Sequence, residues 1–356
     1  MFHVLSIDGG GIRGIIPATV LVALEALVKR PLGQVFDLVV GTSTGGLLSL
    51  ALAAPRGGNG HTMCSPSSLL DLYTSKGDQI FRASSVDVRS DPLKALVTSL
   101  GGPRWEAAPS VNSLRTRMRL DENDLGNARY SAAALEAHLR SIFGDTKLSD
   151  AVTDVVVTSY DMAARQPILF RSRDAKSDSA ADAYLRDVGR ATSAAPTYFP
   201  PHEMVVHGAR RILIDGGVVA NNPAMIALVE AIRIAPADEP IHVLSVGTGA
   251  PRRAATGSLP LSEFKARPWP VVAMDLMQTL FDGDSQMADH MLAAFAQSLP
   301  QRITSVRLQA DLGDDVSGRM DDASQTHIQQ LIAAGAKLAK ASGAELDAIA
   351  QGLSAQ

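Results

Sequence analysis

The sequence predicts an α/β protein with parallel strands, and two observations carry this prediction. Apolar runs at 3–7, 35–40 and 241–246 each end at a turn of glycines or small polar residues. Between the first two runs, apolar residues recur at helical spacing from Val20 to Val28. Two strands joined by a helix form a parallel pair, and strands that are apolar throughout are buried on both faces. An α/β domain with a mostly parallel sheet follows.

The rest of the chain extends this pattern. Further strands are expected at 154–159, 168–170, 212–214 and 306–308. Helices are expected at 131–143, at 184–193 and from Asn221 to about Ile234. The small, polar stretch 174–183 is expected to be a mobile loop. We expect a helical C-terminal layer, with one domain over residues 1–335 and a helical tail over 336–356.

Composition excludes several classes of protein. The chain has 356 residues, of which 46% are hydrophobic and 20% charged, as in ordinary globular proteins. Cys64 is the single cysteine, so no internal disulfide is possible, and we expect a cytoplasmic protein. The formal charge of −4 argues against binding to a nucleic acid polymer. We find no long uninterrupted apolar run and expect no transmembrane helix.

A G-x-S-x-G motif at 41–45 lies between an apolar strand and a helix. Gly41 and Gly45 avoid steric clashes in a sharp turn, so that the hydroxyl of Ser43 projects from the fold. The helix N-terminus behind Ser43 favours developing negative charge. These features predict a serine nucleophile. The alternative is a turn of small residues in which Ser43 only caps the helix.

The run D-G-G-G-I-R-G at 8–14 supplies a second candidate site. Glycines let backbone N–H groups approach an anion closely, as in an oxyanion hole or a phosphate site. Arg13 is expected to hold this loop in place or to contact a phosphate. The alternative is that Arg13 is a solvated surface charge.

The glycines Gly9, Gly11 and Gly14 also fit the dinucleotide fingerprint G-x-G-x-x-G. That fingerprint requires an acidic residue at the end of the second strand. Asp37 lies at the start of that strand instead, and Ser43 follows its end. A dinucleotide-binding oxidoreductase is therefore the weaker alternative.

The base for a serine nucleophile has few candidates. Asp215 ends the strand at 212–214, so it shares an edge of the sheet with Ser43 if the strands run alike, although Asp-Gly is also a common turn. Histidine is the usual partner of a serine nucleophile. Of the eight histidines, His202 and His207, which lie near a loop, are the only plausible alternatives, and His242 begins a buried strand at the wrong end for such a site. No metal-binding pattern occurs, so no metal site is expected.

Taken together, these motifs resemble the patatin-like phospholipase family. The resemblance rests on the motifs at 8–14, 41–45 and 215–217, with A-T-S-A-A-P-T-Y-F-P at 191–200 and M-D-D-A at 320–323. It implies a three-layer α/β/α sandwich. It also implies a serine lipid acyl hydrolase with a Ser–Asp dyad and no cofactor.

Transferred residue by residue, the resemblance gives roles to the motif positions. Ser43 is the implied nucleophile and Asp215 the implied base. The implied oxyanion-hole region comprises Gly9, Gly10, Gly11 and Arg13. A catalytically silent ligand-binding module remains an alternative if Ser43 is unreactive.

The implied substrate is membrane phospholipid, so the protein is expected to act at the membrane surface. The apolar stretch 271–299, which holds four of the 11 methionines, is expected to be a lid, an acyl-contacting helix or ordinary core. Trp105 and Trp269 are candidates for membrane contact.

Some bacterial members of the family act in anti-phage signalling and are switched on by cyclic nucleotides. Two basic clusters are candidate sites for such an activator, with solvated surface as the alternative: Arg115, Arg117, Arg119, and Arg252, Arg253. A homo-oligomer is left open.

Overall fold

The computed structural model describes residues 1–55, 65–81, 128–251, 269–313 and 316–354, with the backbone alone for residues 251 and 269–276. The strands are β1 (Phe2–Ile7), β2 (Leu38–Gly41), β3 (Asp154–Asp161), β4 (Gln166–Arg171), β5 (His202–Val206), β6 (Ala209–Asp215), β7 (Ile241–Val246), β8 (Ala250–Pro251), β9 (Ile303–Leu308) and β10 (Asp311–Leu312).

The helices are α1 (Ile15–Val28), α2 (Thr44–Ala53), α3 (Pro66–Ile80), α4 (Ala133–Phe143), α5 (Ser172–Ser177), α6 (Leu185–Thr192), α7 (Gly217–Ala220), α8 (Ala224–Ile234), α9 (Trp269–Ser298), α10 (Gln325–Ala341) and α11 (Gly343–Ser354). A short 3₁₀ turn, Gly11–Gly14, leads into α1.

Eight strands form the central sheet, in the order β5-β6-β3-β2-β1-β7-β9 with β4 also paired to β3. The five strands from β3 to β9 in this order are parallel. Strands β4 and β6 run antiparallel to β3, and β5 runs antiparallel to β6. The expected mostly parallel sheet is confirmed.

Helices cover both faces of this sheet. Leu5 and Val39 pack into a large core with α1 and α2, whereas their neighbours Val4 and Val40 pack into a second core with α8. Successive side chains of a strand point to opposite faces, so the sheet is the middle layer. The expected three-layer α/β/α arrangement is confirmed.

Helix α1 and the turn before it form the most apolar helical stretch of the described residues. The stretch Gly11–Val28 is long and apolar enough to cross a membrane, and 61% of it is buried within the protein. It therefore combines the length of a membrane span with the burial of a core helix, packed against α3, α10 and α11. Arg13 and Glu25 interrupt this stretch, so it is not an uninterrupted apolar run, although its length and mean hydropathy are those of a membrane span.

The C-terminal helices belong to the same layer as α1. Both α10 and α11 contact α1, and Gly335 on α10 lies against Thr19. The expected boundary at residue 335 falls inside α10, which continues to Ala341. That boundary therefore does not coincide with the end of an element.

One local expectation was wrong, and one strand was not predicted. Part of the stretch 174–183 is helical, because α5 extends to Ser177. The strand β5 was missed, since its exposed edge position allows charged residues such as Glu203 in place of an apolar run. It joins β6 through a tight turn in which His207 and Gly208 both have positive φ.

The burial of α1 can be tested with two leucines on the same helix. Leu24 is fully buried, whereas Leu27 is 43% exposed. We expect Leu24→Ala to lower the free energy of unfolding by about 2–5 kcal/mol, because it leaves a cavity in the core. Leu27→Ala should cost less than ~1 kcal/mol. Equal losses in urea titrations of the two variants would contradict the core assignment of α1.

Candidate active site

Ser43 occupies a sharp turn between β2 and α2. Its backbone has φ 54° and ψ −123°, a combination that costs a non-glycine residue about 1–3 kcal/mol. Gly41 and Gly45 permit the turn, because a β-carbon on Gly41 would collide with the carbonyl of Gly45, and one on Gly45 with that of Ile7. This is the strained strand-to-helix turn that presents a serine nucleophile in hydrolases.

Asp215 lies beside Ser43, although its strand β6 does not run in the direction that the sequence argument assumed. The sequence argument required β6 to run parallel to β2, and this premise is wrong, because β6 is antiparallel to β3. Strand β4 occupies one edge of β3, so β2 and β6 share the other edge in succession. Gly41 pairs with Val157 of β3, and Asp215 pairs with Ser159, two residues further on. The ends of β2 and β6 therefore point toward each other.

The Asp215 carboxyl interacts directly with Ser43. The Ser43 hydroxyl lies close enough to the carboxyl to favour its ionised form, and the N–H of Gly217 donates to its Oδ1 at 2.7 Å. Asp215 is only 2% exposed, and this burial raises the pKa of its carboxyl to about 7 despite both interactions. A carboxylate with this pKa can both accept and release a proton near neutral pH.

The last residue of α6 and the segment that follows it fix both residues of the pair. The N–H of Ser43 donates to Oγ1 of Thr192 at 2.8 Å. The N–H of Asp215 donates to the carbonyl of Ala194 at 3.0 Å. Between these contacts, Ser193 lines the cavity beside Ser43, and its buried hydroxyl has no hydrogen-bond partner among the described residues.

The glycine loop after β1 lies against Ser43, and its members do not all have free N–H groups. A β-carbon on Gly9 would stand 3.3 Å from that of Ser43. The N–H of Gly9 donates to the carbonyl of Asn221 at 2.9 Å. The N–H groups of Gly10 and Gly11 have no such backbone acceptor in the described part of the chain, and both residues line the cavity. Gly10 and Gly11 are therefore the available donors for an oxyanion.

Arg13 lies behind this loop and does not line the cavity. Its guanidinium is buried and donates to the carbonyl of Gly249 at 3.3 Å, and burial lowers the pKa of Arg13. The loop after β7 also reaches Gly9, because Oγ1 of Thr248 donates to its carbonyl at 2.8 Å. Arg13 thus links two loops, which places it among the supports of the oxyanion region.

A buried ion pair anchors the start of the glycine loop. Arg307 of β9 donates to both carboxylate oxygens of Asp8, at 2.9 and 2.5 Å. Burial nevertheless raises the pKa of Asp8 to about 6. Arg307 also contacts Asp289 of α9 at 3.1 Å, and Asp289 accepts a hydrogen bond from Asn222 at 2.6 Å. This network ties α9 to the residues that flank the site.

The cavity beside Ser43 is mainly apolar. Besides Ser43, Asp215 and Asn221, the large side chains of its lining are Leu47, Leu72, Tyr73, Ile80, Phe81, Leu135, Tyr198, Phe199, Phe281 and Met320. Such a lining suits a hydrocarbon chain that leads to the polar pair.

The alternative partners considered from the sequence lie elsewhere. His202 is 3.8 Å from Asp187, and His207 is 3.8 Å from Asp178. No histidine is among the cavity-lining residues of the described chain. Asp37 accepts the N–H of His3 at 2.7 Å, at the opposite end of the strands from Ser43, so it cannot bind a ribose beside the glycine loop.

Some residues of the site had no role in the sequence analysis. The segment 192–194 lies in the stretch 191–200, which carried the family resemblance and was the available signal. Asn221 was considered as the start of a helix. No sequence signal pointed to Arg307, because an arginine in a strand is ordinary until the fold places it beside Asp8. Within the described residues, no group of three or more His, Cys, Asp or Glu side chains could hold a metal ion.

Comparisons with known proteins agree with this geometry. Residues 5–228 match the family model for patatin-like phospholipase. The chain is 31% identical to patatin-like protein 2 of Arabidopsis thaliana over 95% of this chain and 82% of that protein. It is 29% identical to patatin-17 of Solanum cardiophyllum over 96% and 84% of the two chains. The chain therefore belongs to the patatin-like phospholipase family, and its activity is that of a lipid acyl hydrolase.

Among solved structures, VipD of Legionella pneumophila is similar with a TM-score of 0.33 and 11% identity, over 96% of this chain and 67% of VipD. A similarity this low carries no weight for the site.

The raised pKa of Asp215 has a consequence for stability. In the unfolded chain the carboxyl has a pKa near 3.8, against about 7 in the folded protein. Because the folded value is higher, ionisation opposes folding. The penalty is absent below pH ~4, grows up to pH ~7 and is on the order of 4 kcal/mol above that.

Asp215→Asn removes the ionisation, while its amide oxygen can still accept the N–H of Gly217. We expect the stability of this variant relative to the wild type to increase between pH ~4.5 and ~8, as measured by urea unfolding. A stability difference that does not change with pH would show that Asp215 is not desolvated.

Proposed function

We propose that this protein cleaves fatty acyl esters of membrane phospholipids through a Ser43–Asp215 dyad. The observation that carries the proposal is the position of Ser43 beside the buried Asp215 carboxyl, in the lining of one cavity. The strained turn at Ser43 adds to it, as do the two N–H groups of the glycine loop that have no acceptor among the described residues.

In the first half-reaction, Oγ of Ser43 attacks the ester carbonyl carbon while Asp215 takes the hydroxyl proton. The carbonyl oxygen becomes an oxyanion and accepts hydrogen bonds from the N–H groups of Gly10 and Gly11. One such donor contributes about 3–4 kcal/mol to the transition state. Collapse of the intermediate breaks the ester bond, and protonated Asp215 gives its proton to the departing alcohol oxygen.

In the second half-reaction, water attacks the acyl-enzyme and gives a proton to Asp215. The same N–H groups bind the second oxyanion. Its collapse releases the fatty acid and returns the proton from Asp215 to Ser43. One carboxyl therefore serves as base and acid in turn, which a pKa near 7 allows.

The apolar cavity supports a fatty acyl chain as the part of the substrate that is bound, with its ester at Ser43. The single cysteine supports action in a reducing compartment, at the cytoplasmic surface of a membrane. Activation by a cyclic nucleotide in anti-phage defence rests on the resemblance and on two arginine clusters. Both clusters, like Trp105, lie outside the described residues.

A fluorophosphonate probe with phospholipid hydrolysis tests the dyad. We expect Ser43→Ala to abolish labelling and hydrolysis, because the nucleophile is absent. Asp215→Asn should lower both by at least about a thousandfold, because the base is absent. Ser179→Ala, which removes an exposed serine hydroxyl, is the matched control and should behave like the wild type.

Labelling that persists in Ser43→Ala, or hydrolysis at the wild-type rate in Asp215→Asn, would refute the dyad. The same assays with and without cyclic nucleotides test the switch. Full activity that no cyclic nucleotide alters would refute that part of the proposal alone.

A further inference from the structure

The long helix α9 carries an exposed apolar face. The exposed fractions are 55% for Leu280, 56% for Met287, 39% for Met291, 43% for Phe295 and 47% for Leu299, which follows the helix end. Their spacing of seven, four, four and four residues places them along one side of the helix. These five residues are called the α9 apolar face.

From Met287 onward this face has almost no charge. Asp282 and Asp284 lie between Leu280 and Met287, and they accept hydrogen bonds from Gln278 and from the N–H of Asn222. From Gln286 to Leu299 the exposed side chains are apolar or uncharged polar, with His290 as the titratable one. Asp289 is the acidic residue of this stretch, and it is bound to Arg307 and Asn222. A solvated helix surface ordinarily carries charged residues over four turns, so this one is adapted to a different neighbour.

The other side of α9 is held by the protein. Leu292 is buried in the second core beside α8, and Phe281 is buried in the wall of the catalytic cavity. Asn222 donates its backbone N–H to Asp284 at 3.2 Å. The exposure of the apolar face is therefore a property of a fixed helix.

We propose that the α9 apolar face docks on the surface of a lipid bilayer and holds the Ser43 cavity against it. This inference rests on the proposed function, because it names the partner surface of that site. Leu280, the first residue of the face, directly precedes Phe281 in the cavity wall. One helix thus connects the bilayer-facing surface with the place where an acyl chain is bound.

The size of the face favours a bilayer over a second copy of the chain. Five half-exposed side chains present on the order of 400 Å² of apolar surface. Each partner of a stable protein complex buries roughly 800 Å². An apolar helix face that enters the bilayer interface needs no matching partner surface.

Because this face lacks charge, its docking should differ from electrostatic membrane binding in its dependence on salt. Attraction between basic side chains and anionic lipids weakens as salt is added. Burial of the α9 apolar face does not depend on ionic attraction, so docking should occur on zwitterionic phosphatidylcholine and persist at high salt.

Vesicle co-sedimentation with phosphatidylcholine, in a Ser43→Ala background, tests the proposal. The test variant combines Met287→Gln, Met291→Gln and Phe295→Gln. The control combines Val152→Gln, Met162→Gln and Val205→Gln, which change three exposed apolar residues on other elements. We expect the test variant to bind vesicles at least about tenfold more weakly than the control, with no loss of binding between about 0.05 and 0.5 M salt.

The same triple substitutions with Ser43 intact separate docking from catalysis. The test variant should lose vesicle phospholipid hydrolysis in proportion to binding, and should hydrolyse dissolved p-nitrophenyl butyrate like the control. Equal vesicle binding by the test variant and the control would overturn the docking proposal, as would loss of binding at high salt. A dimer that becomes a monomer in the test variant, with unchanged vesicle binding, would assign the face to a second copy.

Failure of the proposed function gives a different pattern. The protein with Ser43 intact would then hydrolyse neither ester, while the test variant would still bind vesicles more weakly than the control.

Discussion

The structure depends on keeping one carboxyl out of water. Asp215 is buried, and its pKa is raised to about 7 although the Ser43 hydroxyl and the N–H of Gly217 favour its ionised form. An exposed aspartate, with a pKa near ~4, is a poor base for a serine hydroxyl at neutral pH. Desolvation raises the pKa of Asp215, which would let the proposed two-residue site work without a histidine. Ionisation of this group lowers the free energy of unfolding, because its pKa is higher in the folded protein than in the unfolded chain.

The surrounding structure offsets that cost and fixes the geometry. Ser43 holds a strained backbone conformation because Thr192 accepts its N–H and glycines allow close packing around the turn. The glycine loop is anchored through Asp8 to Arg307, which also contacts α9. The helix that supplies Phe281 to the cavity is thereby connected with the loop that would bind an oxyanion. In the proposed mechanism, access to the cavity and stabilisation of the oxyanion would therefore depend on one network.

Much of this was predictable from the sequence, and the exceptions have physical causes. The strands at 3–7 and 241–246 were found because strands buried on both faces leave continuous apolar runs. The strand β5 was missed because an edge strand need not be apolar. The pairing of Asp215 with Ser43 was anticipated for the wrong reason, since the direction of β6 depends on long-range pairing that local patterns do not encode. The partner of Asp8 could not be found, because 299 residues separate it from Arg307.

The pH dependence of Ser43 phosphonylation tests the central claim most directly. The rate constant for reaction with a neutral fluorophosphonate reports whether the base beside Ser43 is deprotonated. If Asp215 is that base in its desolvated state, the rate should be low in acid, rise through an apparent pKa of about 7 and level off above it. A rate already at its plateau near pH ~5 would mean that the base has an ordinary carboxyl pKa, and would contradict the account.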